Sequence, residues 1–281
     1  FSYAFDQYDK SDYQRITRLD IRDYSNVQNS LRLLYNHTFE GENVLSVGAD
    51  YMHDYLFNTN LEGRIRKQDS FDAFAQYDWN ISPKWEVVGA LRYDYFSDGH
   101  ISRLTPKVSA RYQPIRNLNI RLSYGMGFRA PTLKEKYYNF DMSGIWVVEG
   151  NPSLRPEVSQ NFNASVDYTK GHYNFTVSAY CNKIENKIAT GAPYYKSPSD
   201  IMPHLPYLNL NNYTVSGGEA TAQARWTNGL TARLSYAYTN ERLPKDKNSN
   251  AVNNQYIPAR KHSMTGHIDW DHQWLKNYGT N

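Results

Sequence analysis

A strict alternation of polar and apolar side chains, renewed in one long segment after another, is the feature that most limits what this chain can fold into. Asn117 to Tyr124 sets Leu118, Ile120, Leu122 and Tyr124 against Asn117, Asn119, Arg121 and Ser123. A period of two puts each set on its own face of a β-strand. Val158 to Tyr168 repeats the pattern, with Val158, Phe162, Ala164, Val166 and Tyr168 opposed to Ser159, Asn161, Asn163, Ser165 and Asp167. Faces of the same kind are made by Trp85, Val87, Gly89, Leu91, Tyr93 and Tyr95, by Tyr173, Phe175, Val177, Ala179 and Cys181, and by Leu230, Ala232, Leu234, Tyr236 and Tyr238. The alternation predicts about twelve strands, near 13–23, 27–40, 43–58, 68–80, 84–97, 102–113, 117–128, 157–169, 172–187, 213–228, 230–242 and 258–271. Many reach the ~9–11 residues that a tilted strand needs to cross a bilayer. Residues 1–13 are polar and carry no strand assignment.

The connections are as informative as the strands. Short ones fall at 39–43, 82–84, 113–117, 169–172 and 227–229, with Lys170-Gly171 and Asn228-Gly229 suited to tight hairpins. Long ones fall near 58–67, 97–102, 129–156, 188–212 and 242–257, so that short and long alternate after the second predicted strand. In an antiparallel meander this gathers the long loops at one end, as in a barrel whose turns are short inside the membrane's inner face and long outside. A soluble sandwich is disfavoured, because its strands average about 5–6 residues. Composition agrees: 25 of the 281 residues are tyrosine, and no run approaches the 18 apolar residues of a spanning helix. Tyrosines in that number would strain a dry core but suit the two water interfaces of a membrane barrel. The expected fold is all-β, an antiparallel up-and-down transmembrane β-barrel.

Charge excludes some functions. With 31 basic and 28 acidic residues there is no basic field for nucleic acid. The single cysteine, Cys181, forms no internal disulfide or cysteine metal cluster and reads as a small apolar residue on an outward face. No serine sits in a Gly-x-Ser-x-Gly elbow and no His/Asp pair stands out, so the chain is not expected to be an enzyme.

The longest structured gap, Gly125 to Glu157, holds the most specific residues. Gly127-Phe128-Arg129-Ala130-Pro131 is followed by Gly150-Asn151-Pro152-Ser153-Leu154-Arg155-Pro156-Glu157. This double motif resembles the paired signature in the barrel of TonB-dependent outer-membrane receptors. Phe74-Ala75-Gln76-Tyr77-Asp78-Trp79, Gly89-Ala90-Leu91-Arg92-Tyr93-Asp94, Leu104-Thr105-Pro106-Lys107, Tyr207-Leu208-Asn209-Leu210 and Gly217-Gly218-Glu219 resemble the family too, in family order. The resemblance implies a 22-stranded barrel around an N-terminal plug, in the outer membrane of a Gram-negative bacterium. It implies capture of a scarce, large nutrient of the siderophore-iron, haem or cobalamin class, and uptake driven by the TonB complex acting through the plug. No cofactor is implied. Residues 1–281 are expected to be part of one such barrel domain, without plug, TonB-contacting box or last barrel strands. A passive porin and an outer-membrane barrel enzyme are the competing functions.

Parity gives the motif a physical reading. If Leu118, Ile120 and Leu122 face lipid, Phe128 does so as well, while Arg129 and Glu157 point into the lumen from adjacent strands. They are expected to pair, directly or through a lumenal network. Pro131 and Pro156 lack amide hydrogens and stop the ladder. Asn151-Pro152 starts a turn, and Leu154 completes the set as part of a structural lip that fixes the long loop. Ligand contact is expected from the loops instead: Tyr137, Tyr138, Phe140, Met142 and Trp146 form an aromatic and soft apolar cluster that either meets a flat ligand or packs on neighbouring loops. Tyr194, Tyr195 and His204 lie in the next loop among Pro193, Pro198, Pro203 and Pro206, which stiffen it. Haem receptors of the family often carry a histidine between the motif halves, and residues 132–150 contain none. His100 and His204 read as solvated rather than as iron ligands. Asn240, Glu241, Asp246, Asn248 and Asn250 offer oxygens without the spacing of a calcium loop.

Overall fold

The structure is a computed structural model that describes residues 1–142, 144–242, 260–275 and 278–280, with side chains excluded from residue 272 onward. In chain order the strands are β1 (Ser2–Gln14), β2 (Leu19–Thr38), β3 (Val44–Asn58), β4 (Ile65–Ser82), β5 (Trp85–Phe96), β6 (Ile101–Ile115) and β7 (Leu118–Arg129). The next connection holds a short helix α1 (Leu133–Tyr137) and strands β8 (Asn139–Asp141) and β9 (Val147–Glu149). Then come β10 (Glu157–Lys170), β11 (Tyr173–Glu185), the loop strands β12 (Lys187–Thr190) and β13 (His204–Leu210), β14 (Tyr213–Arg225), β15 (Leu230–Arg242), β16 (His262–Trp270), β17 (His272–Leu275) and β18 (Tyr278–Thr280).

One twelve-stranded sheet, in the order β1-β2-β3-β4-β5-β6-β7-β10-β11-β14-β15-β16, makes up the wall, and every neighbouring pair in it is antiparallel. Pairing of β7 with β10 runs from Leu118↔Tyr168 to Arg129↔Glu157 and sets Ile120, Leu122, Tyr124 and Phe128 opposite Val166, Ala164, Phe162 and Val158. The predicted faces therefore merge into one continuous surface across strands. Leu104, Leu122, Val177 and Leu234, all on that surface, are 51–58% exposed. A contiguous apolar band of this kind is unfavourable in water and at home against hydrocarbon.

The opposite face carries the charges, and it pairs them. Arg32 bonds Asp50 (Nε to Oδ1, 2.6 Å), Arg92 reaches Asp72 (3.1 Å) and Asp94 (2.9 Å), Arg111 bonds Glu86 (2.6 Å) and Arg121 bonds Asp167. Near the short-turn end, aromatic rings gather: Trp85 stacks on Tyr112 at 4.3 Å, and Phe39 meets His37 at 4.4 Å and Tyr77 at 6.3 Å. Such a belt sits where a membrane barrel meets interfacial water.

The first two strands lie elsewhere than the alternation predicts. Residues 1–13, given no assignment, form most of β1, and 13–23 and 27–40 are replaced by a turn at 15–18 followed by the single 20-residue β2. Two causes are visible. A bulge between Lys10 and Ser11 breaks the period, and the turn uses Arg18 at φ 57°, with its amide on the Gln14 carbonyl at 2.8 Å, in place of glycine or asparagine. The long connection expected near 97–102 is a tight four-residue turn, 97–100, with Gly99 and His100 at positive φ. Beyond these, the short connections lie at one end of the wall and 59–64, 130–156 and 186–212 at the other.

Among the described residues, a protein core is found at that second end alone. The buried apolar side chains there include Leu56, Leu61, Pro131, Leu133, Leu154, Val158, Ile188, Leu205, Leu210 and Tyr213, every one in a long connection or at a strand's adjoining tip.

Candidate ligand-capture site

The double motif builds the lip from which the loops rise. Arg129 ends β7 and bonds Glu157, which opens β10, at 2.6 Å (Nη2 to Oε1). Its other terminal nitrogen grips both oxygens of Glu135 on α1, at 3.0 and 2.9 Å. Glu135 also caps its own helix: Thr132 Oγ1 accepts from the Glu135 amide (3.2 Å), while the Thr132 amide donates to Glu135 Oε2 (2.8 Å). The same Glu157 oxygen accepts the amide of Ile188, in the next loop, at 2.7 Å. One guanidinium thus ties two strands and the roots of two loops.

The second half of the motif closes the return path. Pro131 and Leu154 are buried, Pro152 is exposed and Pro156 half-buried. Asn151 Oδ1 accepts the Ser153 amide at 2.9 Å, the turn expected of Asn-Pro, and Asn151 Nδ2 donates to the Tyr207 carbonyl at 2.9 Å. A Cβ on Gly150 would stand 2.7 Å from the backbone nitrogens of Tyr137 and Tyr138, so only glycine lets the returning chain lie against the end of α1. Asn209 completes the joint by bonding Arg155 through both its amide oxygen (2.8 Å) and its amide nitrogen (2.9 Å).

Above the lip the two long loops fold together. Their strands form a four-stranded sheet, β12-β13-β9-β8, in which β9 of the first loop pairs parallel with β13 of the second. Asn186 and Asn212, at φ 56° and 60°, bracket the second loop; asparagine tolerates this left-handed region better than most residues. Glu149 sits at the junction. It accepts Tyr194 Oη at 2.7 Å, pairs with His204 Nδ1 at 3.0 Å and bonds Lys196. Burial pushes its carboxyl up, but the bonds from Lys196 and Tyr194 outweigh this and hold it below the usual carboxylate range. The same carboxylate raises the Tyr194 phenol and the Lys196 ammonium.

The residues proposed from sequence to meet ligand divide into two groups. Tyr137 and Tyr138 pack inward against the cluster of Leu56, Leu61 and Leu133; Tyr137 donates to Asp98 Oδ1 at 2.9 Å and lies under the Arg66 guanidinium at 4.3 Å. Phe140, Met142, Trp146, Tyr194 and Tyr195 stay open, between 37% and 61% exposed. Tyr194 and His204 share Glu149, with ring centroids 5.9 Å apart. Sequence reading missed Glu135, Glu149 and the buried Lys136, whose Nζ bonds Asp98 at 2.5 Å. No local pattern signals these three, apart from the capping spacing Thr132-x-x-Glu135. His100 bonds Tyr95 Oη at 3.2 Å, and Glu241 accepts Tyr213 Oη at 2.9 Å; Asp246, Asn248 and Asn250 lie outside the described residues. No group of three or more His, Cys, Asp or Glu placed to hold a metal occurs among the described residues.

A family model described as "TonB dependent receptor-like, beta-barrel" matches residues 1–281. The chain belongs to that family. The vitamin B12 transporter BtuB of Photobacterium profundum is 26% identical over 232 residues, 82% of this chain and 35% of that protein. The iron-regulated outer membrane virulence protein of Vibrio cholerae is 24% identical over 245 residues, 82% of this chain and 36% of its own length. This TonB-dependent receptor barrel chain therefore spans about a third of the curated relatives it matches. Among solved structures, the siderophore receptor PirA of Pseudomonas aeruginosa superposes with a TM-score of 0.71 at 18% identity, over 78% of this chain and 44% of PirA. A variant of the ferric enterobactin receptor PfeA of the same organism gives 0.72 at 14% identity, over 99% and 44%. At these identities the superpositions speak for the fold, a twelve-stranded part of the receptor barrel.

Proposed function

We propose that this chain forms wall, lip and capture loops of an outer-membrane receptor that takes up a scarce, large nutrient of the siderophore-iron, haem or cobalamin class, energised by TonB through a plug. The observation that carries this reading is the union of the two long loops into one sheet. It presents Phe140, Met142, Trp146, Tyr194 and Tyr195 to solvent directly above a lip held by Arg129. Exposed aromatics on a stiff frame suit a large ring-bearing ligand, because little entropy is lost on clasping it. Lipid of the outer membrane is the partner of the apolar wall. A passive porin would need an open lumen, and a barrel enzyme a nucleophile and base in reach; the named relatives are transporters and receptors.

The test is growth. A strain lacking the full-length gene, supplied with single ferric siderophore, haem or corrinoid sources, is expected to fail on one of them, with rescue by the intact gene only when TonB is present. Rescue independent of TonB would favour the porin. Deleting 139–146 is expected to weaken binding of that source at least tenfold while the receptor still inserts; unchanged affinity would remove these residues from capture.

A further inference from the structure

We infer that Glu149 is a positioning residue that locks the two long loops into one unit and, with His204 beneath, holds Tyr194 at the capture surface. The described contacts of its carboxylate all come from the other loop: Tyr194 Oη at 2.7 Å, His204 Nδ1 at 3.0 Å, and Lys196. At their roots the two loops are also joined, by Asn151 on the Tyr207 carbonyl and by the paired bonds between Asn209 and Arg155, but further out, around β9, the other ties are thin. The parallel ladder between β9 and β13 covers only Val147 to Glu149 against His204 to Pro206, and Pro206 has no amide hydrogen to give it. The Val147 amide on the Pro203 carbonyl, at 3.0 Å, adds one further bond. The distal part of the second loop is otherwise closed on itself, by Tyr194 and His204 exchanging backbone bonds of 2.9 and 2.7 Å and by Asp200 accepting the Ser197 amide at 2.7 Å. A charge-assisted carboxylate with three donors contributes more than any of these single neutral bonds.

The device has a direction. Lys196 and Tyr194 are reached from across the junction and are 53% exposed on the side chain and 40% exposed as a residue, respectively. Glu149 and His204 side chains are 13% and 16% exposed, so the pair that joins the loops lies under the pair that faces outward. Glu149 does not itself offer a free surface to cargo. Its contribution to capture, which rests on the function proposed above, is to keep the aromatic faces of both loops in fixed relation, so that a ligand meets one preformed surface.

The test uses the full-length receptor in bilayers with Cys181 replaced by serine and spin labels on cysteines at Ile145 and Ile201, 61% and 95% exposed on the two loops. Pulsed electron resonance, without cargo, is expected to give one narrow distance. Glu149→Ala is expected to widen that distribution at least twofold, and Glu149→Gln, which keeps an acceptor oxygen, to fall between the two. Should the alanine variant fail to reach the surface, the double variant Tyr194→Phe with His204→Ala is expected to widen it likewise. An unchanged narrow distance in whichever variant is displayed would overturn the inference. Growth on the cargo source separates the two claims. Widened loops with weakened growth support a positioning role, and weakened growth at an unchanged distance overturns it. A receptor that supports growth on none of the sources, yet shows the widening, removes the proposed function and leaves the lock standing.

Discussion

The wall and the loop assembly solve the same problem by opposite means. In the wall, leucines such as Leu122 and Leu234 are more than half exposed and the polar face is stitched by ion pairs; the bilayer stands in for a core. In the loop assembly, Leu61, Leu133, Leu205 and Leu210 are buried and carboxylates bond across chain segments far apart in sequence. A membrane barrel needs a core only where it leaves the membrane. Each region therefore has its own point of failure, and substitutions can tell them apart.

The largest effect is expected in the loop assembly. Leu210, 1% exposed, leaves a cavity on replacement by alanine, and about 2–5 kcal/mol of local stability goes with it. Hydrogen exchange of the loop amides should rise while the wall stays protected; loss of protection in both would erase the distinction. Next comes Leu122→Arg, a charge placed on the lipid face, at about 2–4 kcal/mol when near the midplane. Arginine at the neighbouring Ser123, on the polar face, should cost far less in a urea titration, and equal costs would deny that the faces differ. Arg129→Glu touches the seam between the regions. It discards bonds to Glu135 and Glu157 and sets a third carboxylate beside them. About 1–3 kcal/mol is expected, after discounting for the part-exposed guanidinium, read as reduced surface display. Normal display and stability would remove the seam.

The smallest effect is a pH response confined to the loops. The groups facing one another there are Glu149, Tyr194, Lys196 and His204, with Asp200 acting at a distance on Tyr194 and Lys196. Because Glu149 is held below its ordinary value, its contribution is present above that value and is lost as pH falls through the lowered one. The Ile145–Ile201 distance should hold at neutral and mildly acid pH and spread only once the pH is below the ordinary glutamate value of about 4.3. Spreading already at mildly acid pH would show that the Glu149 carboxylate is not what holds the distance.

How much could be read from residues alone follows the same divide. Alternation needs only a two-sided environment, so it assigns Trp85 to Tyr95 and Leu118 to Phe128 to their faces without structure and brings Arg129 and Glu157 to the same side of adjacent strands; that they pair directly, across one rung, is what the structure adds. It failed at β1, where a bulge shifts the period and an arginine makes the turn. It had no purchase on the loops, where β9 finds β13 across more than fifty residues and Glu149 finds its partners by folding, not by spacing. Tyr137 and Tyr138 show the limit: sequence groups them with Phe140 and Trp146, while packing turns the first two inward.

The most direct test of the whole account is a nitroxide scan of residues Asn119 to Tyr124 in the full-length receptor in outer membranes, reading accessibility to oxygen and to a water-soluble nickel complex. Labels at 120, 122 and 124 should relax with oxygen and those at 119, 121 and 123 should respond to nickel or contact protein, in strict alternation. A uniform profile, or one with all six positions shielded from oxygen, would contradict a membrane wall.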